Sequence, residues 1–195
     1  MTDRFFPGHP AATPISIGEA DGLIPAHIAY RSELNAAEEE NILRGQDWAL
    51  ARRRDLLTEA YVKELHRRML GDVWRWAGKF RTSERNLGIP FFEIPVAVRL
   101  LLADAQAWLE YKTYSPDEIA VRLHHRLVQI HPFPNGNGRH SRLLSDLLVM
   151  QLGRPRFTWG SVQLRDPGEL RRTYIAALRA ADEHDAGPLI EFARS

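Results

Sequence analysis

Residues 119–152 read IAVRLHHRLVQIHPFPNGNGRHSRLLSDLLVMQL: an apolar helical stretch, a loop crowded with histidine, proline, asparagine, glycine and arginine, and a second apolar helical stretch. The first belongs to a helix predicted over 116–130, with Ser115 as N-cap and Pro116 at the first helical position, where a missing N–H costs nothing. The second, SRLLSDLLVMQL, predicts a buried helix that stops at Gly153. Two strongly apolar helices joined by a short turn point to an all-α core.

Outward from there the helical pattern continues. From about Glu33 to Arg54 the chain is rich in Ala, Glu, Leu and Arg, which predicts one long helix, or two broken near Gly45, with Ser32 or Asn35 as cap. TEAYVKELHRRML starts on Thr58, a good N-cap, and places Tyr61, Leu65, Met69 and Leu70 at helical spacing. Another helix is predicted over 96–111. The tail GELRRTYIAALRAADEHDAGPLIEFAR reads as two helices separated near Gly187-Pro188, and Trp159 just before it reads as core. Between Trp74 and Pro95 the glycines and prolines at 78, 88, 90 and 95 leave only a short β-prone piece, NLGIPFFEI, suited to a small hairpin or an exposed edge. Residues 1–25 carry enough Pro and Gly to predict an irregular arm. The expectation is an all-α domain over 26–195 with a small β-hairpin.

Composition narrows the function. The chain has 195 residues, 44% hydrophobic, enough for one well-buried core. Lys and Arg total 26 against 25 Asp and Glu, a formal charge of +1 that gives no broad field for nucleic acid or an acidic membrane. There is no cysteine, so neither disulfides nor thiolate metal sites are available. The start, MTDRFFPGHPAATP, lacks the apolar core of a signal peptide, and no apolar run approaches the roughly 20 residues of a membrane span. The expected setting is cytoplasmic, with no direct nucleic-acid binding and no membrane.

The loop itself has the chemistry of an anion site. Asn-Gly-Asn-Gly at a helix start frees backbone N–H groups to point at a ligand, and the helix dipole adds positive potential there. The glycines admit the backbone angles of a concave nest and leave room for close approach. Arg139 and Arg142, three apart, share one helix face and add two guanidinium forks. Together they suit a di- or triphosphate. His131, directly after LVQI, brings an imidazole to the edge of the same pocket, where its neutral form can take a proton from a hydroxyl.

These residues resemble a known signature. The run His131-Pro132-Phe133-Pro134-Asn135-Gly136-Asn137-Gly138-Arg139 with Arg142 is similar to the Fic (Fic/Doc) pattern, His-x-Phe-x-Asp/Glu-Gly-Asn-Gly/Lys-Arg with Arg three positions on. GKFRTSERNLGI looks like the family's flap, and ELNAAEEENI with DVWRWAGKFRTSERN resembles its subgroup called mobile mystery protein B. The resemblance implies transfer of AMP from ATP to a Ser, Thr or Tyr hydroxyl of a target protein. It implies His131 as the base and Gly136, Asn137 and Gly138 as an anion hole. Asn137 would donate its amide to the α-phosphate, Arg139 and Arg142 would hold the outer phosphates, and Phe133 would anchor the loop. In the related Doc kinases a lysine replaces the second glycine and the nucleotide lies reversed, so Gly138 favours AMP transfer. Asn135 departs from the pattern: the family has an Asp or Glu there for Mg²⁺, which prefers charged oxygen ligands.

Two further expectations follow. Asn86, Leu87, Gly88 and Ile89 form a flap edge able to pair with an extended target segment; Lys79, Arg81, Thr82 and Ser83 are weaker candidates that shape the turn. Fic proteins are commonly held off by a helix carrying Ser/Thr-x-x-x-Glu-Gly/Asn; the nearest string here is Ala36-x-x-x-Glu40-Asn41, which makes Glu40 a candidate brake, with a small antitoxin-like or helix-turn-helix partner protein as the other source. The rival readings are a metal hydrolase built on His124, His125, His131 and His140, and a Fic-like regulatory or toxin-type protein that binds nucleotide but turns over weakly because of Asn135.

Overall fold

The computed structural model describes residues 22–25, 27–28, 31–161 and 166–195. Among these residues seven α-helices follow in order: α1 (Arg31–Leu50), α2 (Glu59–Leu70), α3 (Ile94–Glu110), α4 (Pro116–Ile130), α5 (Asn137–Gln151), α6 (Pro167–Asp182) and α7 (Gly187–Arg194), with a 3₁₀ turn over Phe91–Glu93 ahead of α3. No strand occurs among the described residues. Most of the irregular arm expected over 1–25 lies outside the described residues; Leu23 makes an isolated antiparallel bridge to Trp74. None of the described helices is long and apolar enough to cross a membrane.

Local signals explain where the helices begin. Thr58 Oγ1 accepts from the Tyr61 N–H at 3.1 Å, Ser115 Oγ from Glu118 N–H at 3.3 Å, and Asp166 Oδ2 from Glu169 N–H at 3.1 Å. Each gives a first-turn amide the acceptor it lacks. The helix expected to run to Arg54 stops at Leu50, where Arg54 Nη1 folds back to donate to the Ala49 carbonyl at 3.2 Å. Gly45 does not break α1. A Cβ there would lie 2.8 Å from the backbone of Arg68 and Met69, so the glycine lets α1 and α2 cross in close contact.

The core is centred on α4 and α5, which lie along one another, with α1 and α2 forming a second packed pair. α4 buries Ile119, Val121, Leu123, Leu127 and Ile130, and α5 buries Leu143, Leu144, Leu147, Leu148 and Val149. Trp159 is buried as expected, its Nε1 donating to Asp146 Oδ1 at 2.8 Å. α5 starts a turn before the SRLL run, because Gly136 caps it in the left-handed region (φ 76°) and takes Asn137, Gly138 and Arg139 into the first turn. The segment expected as a hairpin forms no ladder; residues 82–90 make an irregular loop held by a side chain, described below.

Candidate active site

α4 ends by turning left-handed. His131 caps it at φ 52°, ψ 59°, and five residues later Gly136 opens α5, so the whole motif is a tight link between antiparallel helices. Phe133 is fully buried and stacks on the His66 ring, centroids 3.7 Å apart and planes 18° from parallel. It is the anchor that the sequence expects. Asn137 fastens the turn from inside: its Oδ1 accepts from the Phe133 N–H at 2.9 Å, and its Nδ2 donates to the Phe133 carbonyl at 2.8 Å. The structure thus gives the Asn137 amide a partner in the loop, where the resemblance assigns it a phosphate.

His66, buried on α2, grips the loop from beneath. Its Nδ1 accepts from the Gly78 N–H at 2.9 Å, which leaves Nε2 protonated to donate to the Asn135 carbonyl at 3.0 Å. Burial, with His140 and Arg139 nearby, pushes its pKa well below the usual imidazole value, against the hydrogen bond to Asn135. His66 sits on the apolar face of KELHRRML, and only that buried register in the sequence marks it out.

His131 is 8% exposed, and its Nε2 is buried with no hydrogen-bond partner. Burial first, then the positive charges of Arg81 and Arg85, lower its pKa to about 4, against a hydrogen bond from the ring to the Val128 backbone. At neutral pH the ring is therefore uncharged with a free lone pair on Nε2, the state a general base needs.

The glycines of the loop differ in kind. A Cβ on Gly136 would come within 2.6 Å of Leu70 Cδ1, whereas one on Gly138 would meet nothing within 4 Å. Gly136 serves the fold, and Gly138 faces open space at the start of α5. Beside it Arg139 is half exposed and donates to Glu38 Oε2 at 2.9 Å. Glu38, buried on α1, also accepts from Trp74 Nε1 at 2.8 Å. The α1 carboxylate that reaches the motif is thus Glu38. The candidate brake Glu40 lies elsewhere, its side chain 71% exposed and paired with Arg44 at 2.6 Å. Two residues on a helix turn through about 200°, which separates the faces of Glu38 and Glu40. Arg142 points toward α6, its guanidinium 4.5 Å from the Tyr174 ring centroid and its Nε without a partner.

Position 135, where the family pattern has an acid, carries a neutral side chain already in use: Asn135 Oδ1 accepts from the Gly136 N–H at 2.7 Å. Among the described residues no group of three or more His, Cys, Asp or Glu is set to hold a metal. Mg²⁺ binds through carboxylates together with substrate phosphates, and these residues do not fit a protein-held ion. The histidines of the rival hydrolase reading do not converge. His124 Nε2 meets the Tyr174 hydroxyl at 2.9 Å, His125 Nε2 meets Asp182 Oδ1 at 2.8 Å, and His140 Nε2 donates to the Val62 carbonyl at 2.9 Å.

Over the motif lies the flap. Asn86, Leu87 and Gly88 are exposed and Ile89 half-buried, while Gly88 (φ 98°) packs so closely that a Cβ would sit 2.6 Å from His131 Cβ. Leu87 on the flap and Phe92 just after it expose large apolar surface.

Comparison with known proteins bears on the same region. The Fic/DOC family model matches residues 56–149. The protein adenylyltransferase Fic of Aedes aegypti is 33% identical over 189 residues, covering 91% of this chain and 36% of that protein. Protein adenylyltransferase fic-1 of Caenorhabditis elegans is 30% identical over 190 residues, with the same coverage of 91% and 36%. The chain thus spans about a third of the length of these relatives. Among solved structures, C. elegans Fic-1 (aa134–508) superposes with a TM-score of 0.61 at 29% identity, over 91% of this chain and 52% of that one. The BepC protein of Bartonella tribocorum, solved with bound AMPPNP, has a TM-score of 0.68 at 16% identity over 92% and 97%, a likeness of fold.

Proposed function

The chain belongs to the Fic/DOC family, and on that premise we propose that it is a protein adenylyltransferase, moving AMP from ATP to a Ser, Thr or Tyr hydroxyl of a target protein. The observation that carries this reading is the unpartnered Nε2 of a His131 kept neutral beside a glycine-rich helix start. In the proposed reaction Nε2 takes the proton of the acceptor hydroxyl as its oxygen attacks the α-phosphorus. The bond from that phosphorus to the bridging oxygen breaks, and pyrophosphate leaves. Backbone amides of Asn137 and Gly138 receive the phosphate charge, assisted by the α5 dipole, while the Gly136 amide is held by Asn135 Oδ1. Arg139, released from Glu38, and Arg142 neutralise the outer phosphates. Asn137 acts here through the loop it closes.

Any Mg²⁺ would arrive on the triphosphate, where it would neutralise phosphate charge. Asn86, Leu87, Gly88 and Ile89 are the proposed docking edge for the target, with exposed Leu87 as its apolar contact. We take residues 26–195 as the working unit and a cytoplasmic setting. A small helix-turn-helix or antitoxin-like partner is the proposed source of restraint, resting on the subgroup resemblance. The test is incubation with ATP labelled on the α-phosphate. Label enters protein with the native chain and not with His131→Ala. Transfer of γ-label instead would mean kinase chemistry of the Doc type, and no transfer by either the native chain or Asn135→Asp would leave a nucleotide-binding protein without turnover.

A further inference from the structure

The flap has no β-ladder to hold it, and one buried side chain takes that part. The Arg81 side chain is 0% exposed. Its Nε donates to the His131 carbonyl at 2.8 Å, Nη1 to the Ser83 carbonyl at 3.0 Å, and Nη2 to the Ile89 carbonyl. Its own backbone N–H donates to the Pro132 carbonyl at 2.9 Å. Resting on the reading of His131 as base, we propose that Arg81 is a positioning residue coupling the flap to the base, one guanidinium holding both ends of the 83–89 loop and the His131 main chain.

Three observations converge on this. His131 holds a left-handed backbone that a non-glycine residue keeps only when its surroundings fasten it, and the Arg81 Nε bond fastens its carbonyl. Gly88 lies against both groups, a Cβ there meeting His131 Cβ at 2.6 Å and Arg81 Nη2 at 2.8 Å. Finally, the guanidinium is buried, and among the described residues the carboxylate paired with it is Glu84, at 3.7 Å and 61% exposed. Carbonyl dipoles carry the compensation, so the charge is held only while the flap and the motif keep these positions. The charges acting on the His131 ring are Arg81 and Arg85, both from the flap segment. A target segment that shifts the 86–89 edge therefore changes both the placement of the base and the field on it. Lysine cannot replace this fork, since an ammonium is a point donor on a flexible stem.

The experiment follows the His131 ring by NMR titration in the nucleotide-free protein and, separately, AMP transfer from α-labelled ATP. Arg81→Gln removes the charge and raises the His131 midpoint by about one pH unit, with transfer reduced at least tenfold. Arg81→Lys keeps a charge and shifts the midpoint less, with transfer reduced as far. Gly88→Ala, on the exposed loop, reads the same coupling if the Arg81 variants fail to fold: the displaced flap hydrates the ring and raises its midpoint. An unchanged His131 titration in every folded variant overturns the proposal. A native chain that shows the coupled titration but transfers no AMP refutes the proposed activity and leaves the coupling standing.

Discussion

Substituting alanine at Gly136 and at Gly138 moves stability in opposite directions, although the two glycines are two positions apart in one motif. At Gly136 the backbone is left-handed (φ 76°), which costs an alanine about 1 kcal/mol. Its Cβ would also sit 2.6 Å from Leu70 Cδ1, and Leu70 is 1% exposed in the core. Forcing a packed side chain aside costs about 1–3 kcal/mol, so Gly136→Ala loses about 2–4 kcal/mol in all. Gly138 lies in the first turn of α5 with nothing within 4 Å of a new Cβ. There alanine gains up to about 1 kcal/mol of helix propensity. In the proposed function that open space is where a phosphate meets the backbone amides, so Gly138→Ala is expected to weaken ATP binding at least tenfold in a protein that is no less stable. Urea unfolding followed by tryptophan fluorescence, paired with calorimetric ATP titration, measures both halves. The reasoning is refuted if Gly136→Ala unfolds with native stability, or if Gly138→Ala is the more destabilised of the two.

Further predictions follow from other contacts. Glu38→Gln keeps an acceptor for Trp74 Nε1 but removes the negative charge paired with Arg139; ATP affinity rises about two- to fivefold, the worth of a partly exposed ion pair, and an unchanged calorimetric Kd refutes it. His124 at about 3, His131 at about 4 and His140 at about 4 are all depressed by burial. The unfolded chain therefore binds more protons between about pH 4 and 6.5, so stability is full above pH 6.5 and falls by several kcal/mol as pH drops through that window. Urea midpoints taken from pH 7.5 to 4 check this, and a flat profile contradicts it. Over the same range the rate of AMP transfer stays level from pH 8 to about 5.5 and falls only near the His131 value, once activity is corrected for the folded fraction. Asn135→Asp, which adds a charged oxygen where Mg²⁺ is held in the family pattern, makes ATP binding more dependent on Mg²⁺ than in the native chain, read by titration with and without EDTA.

The sequence makes the helices legible because their signals are local. Thr58, Ser115 and Pro116 mark starts within a few residues of the structure they cap, and LLSDLLVM can only be an interior helix. The motif was legible for the same reason, since its residues are contiguous. What escaped is long-range. His66 meets Asn135 across 69 positions and Glu38 meets Arg139 across 101; helical periodicity gives the buried face, not the loop that face will touch. Glu40 drew attention through a string pattern, yet helix geometry turned Glu38 inward. The expected hairpin failed because an arginine supplied the donors that a second strand would have offered, and nothing in GKFRTSERNLGI distinguishes a turn-shaping arginine from a buried hub.

The grip of His66 has a consequence for which substitutions the motif tolerates. Position 66 must offer an acceptor on one edge, a donor on the other and an aromatic face for Phe133, a combination that among the common side chains only a neutral imidazole ring supplies. A saturation library at 66 should therefore return histidine almost alone. Asn135, by contrast, is gripped through its main-chain carbonyl, and its side-chain oxygen serves only the next amide. Aspartate supplies that oxygen equally well, so exchange between acid and amide at 135 can retune the chemistry of the loop without altering its shape.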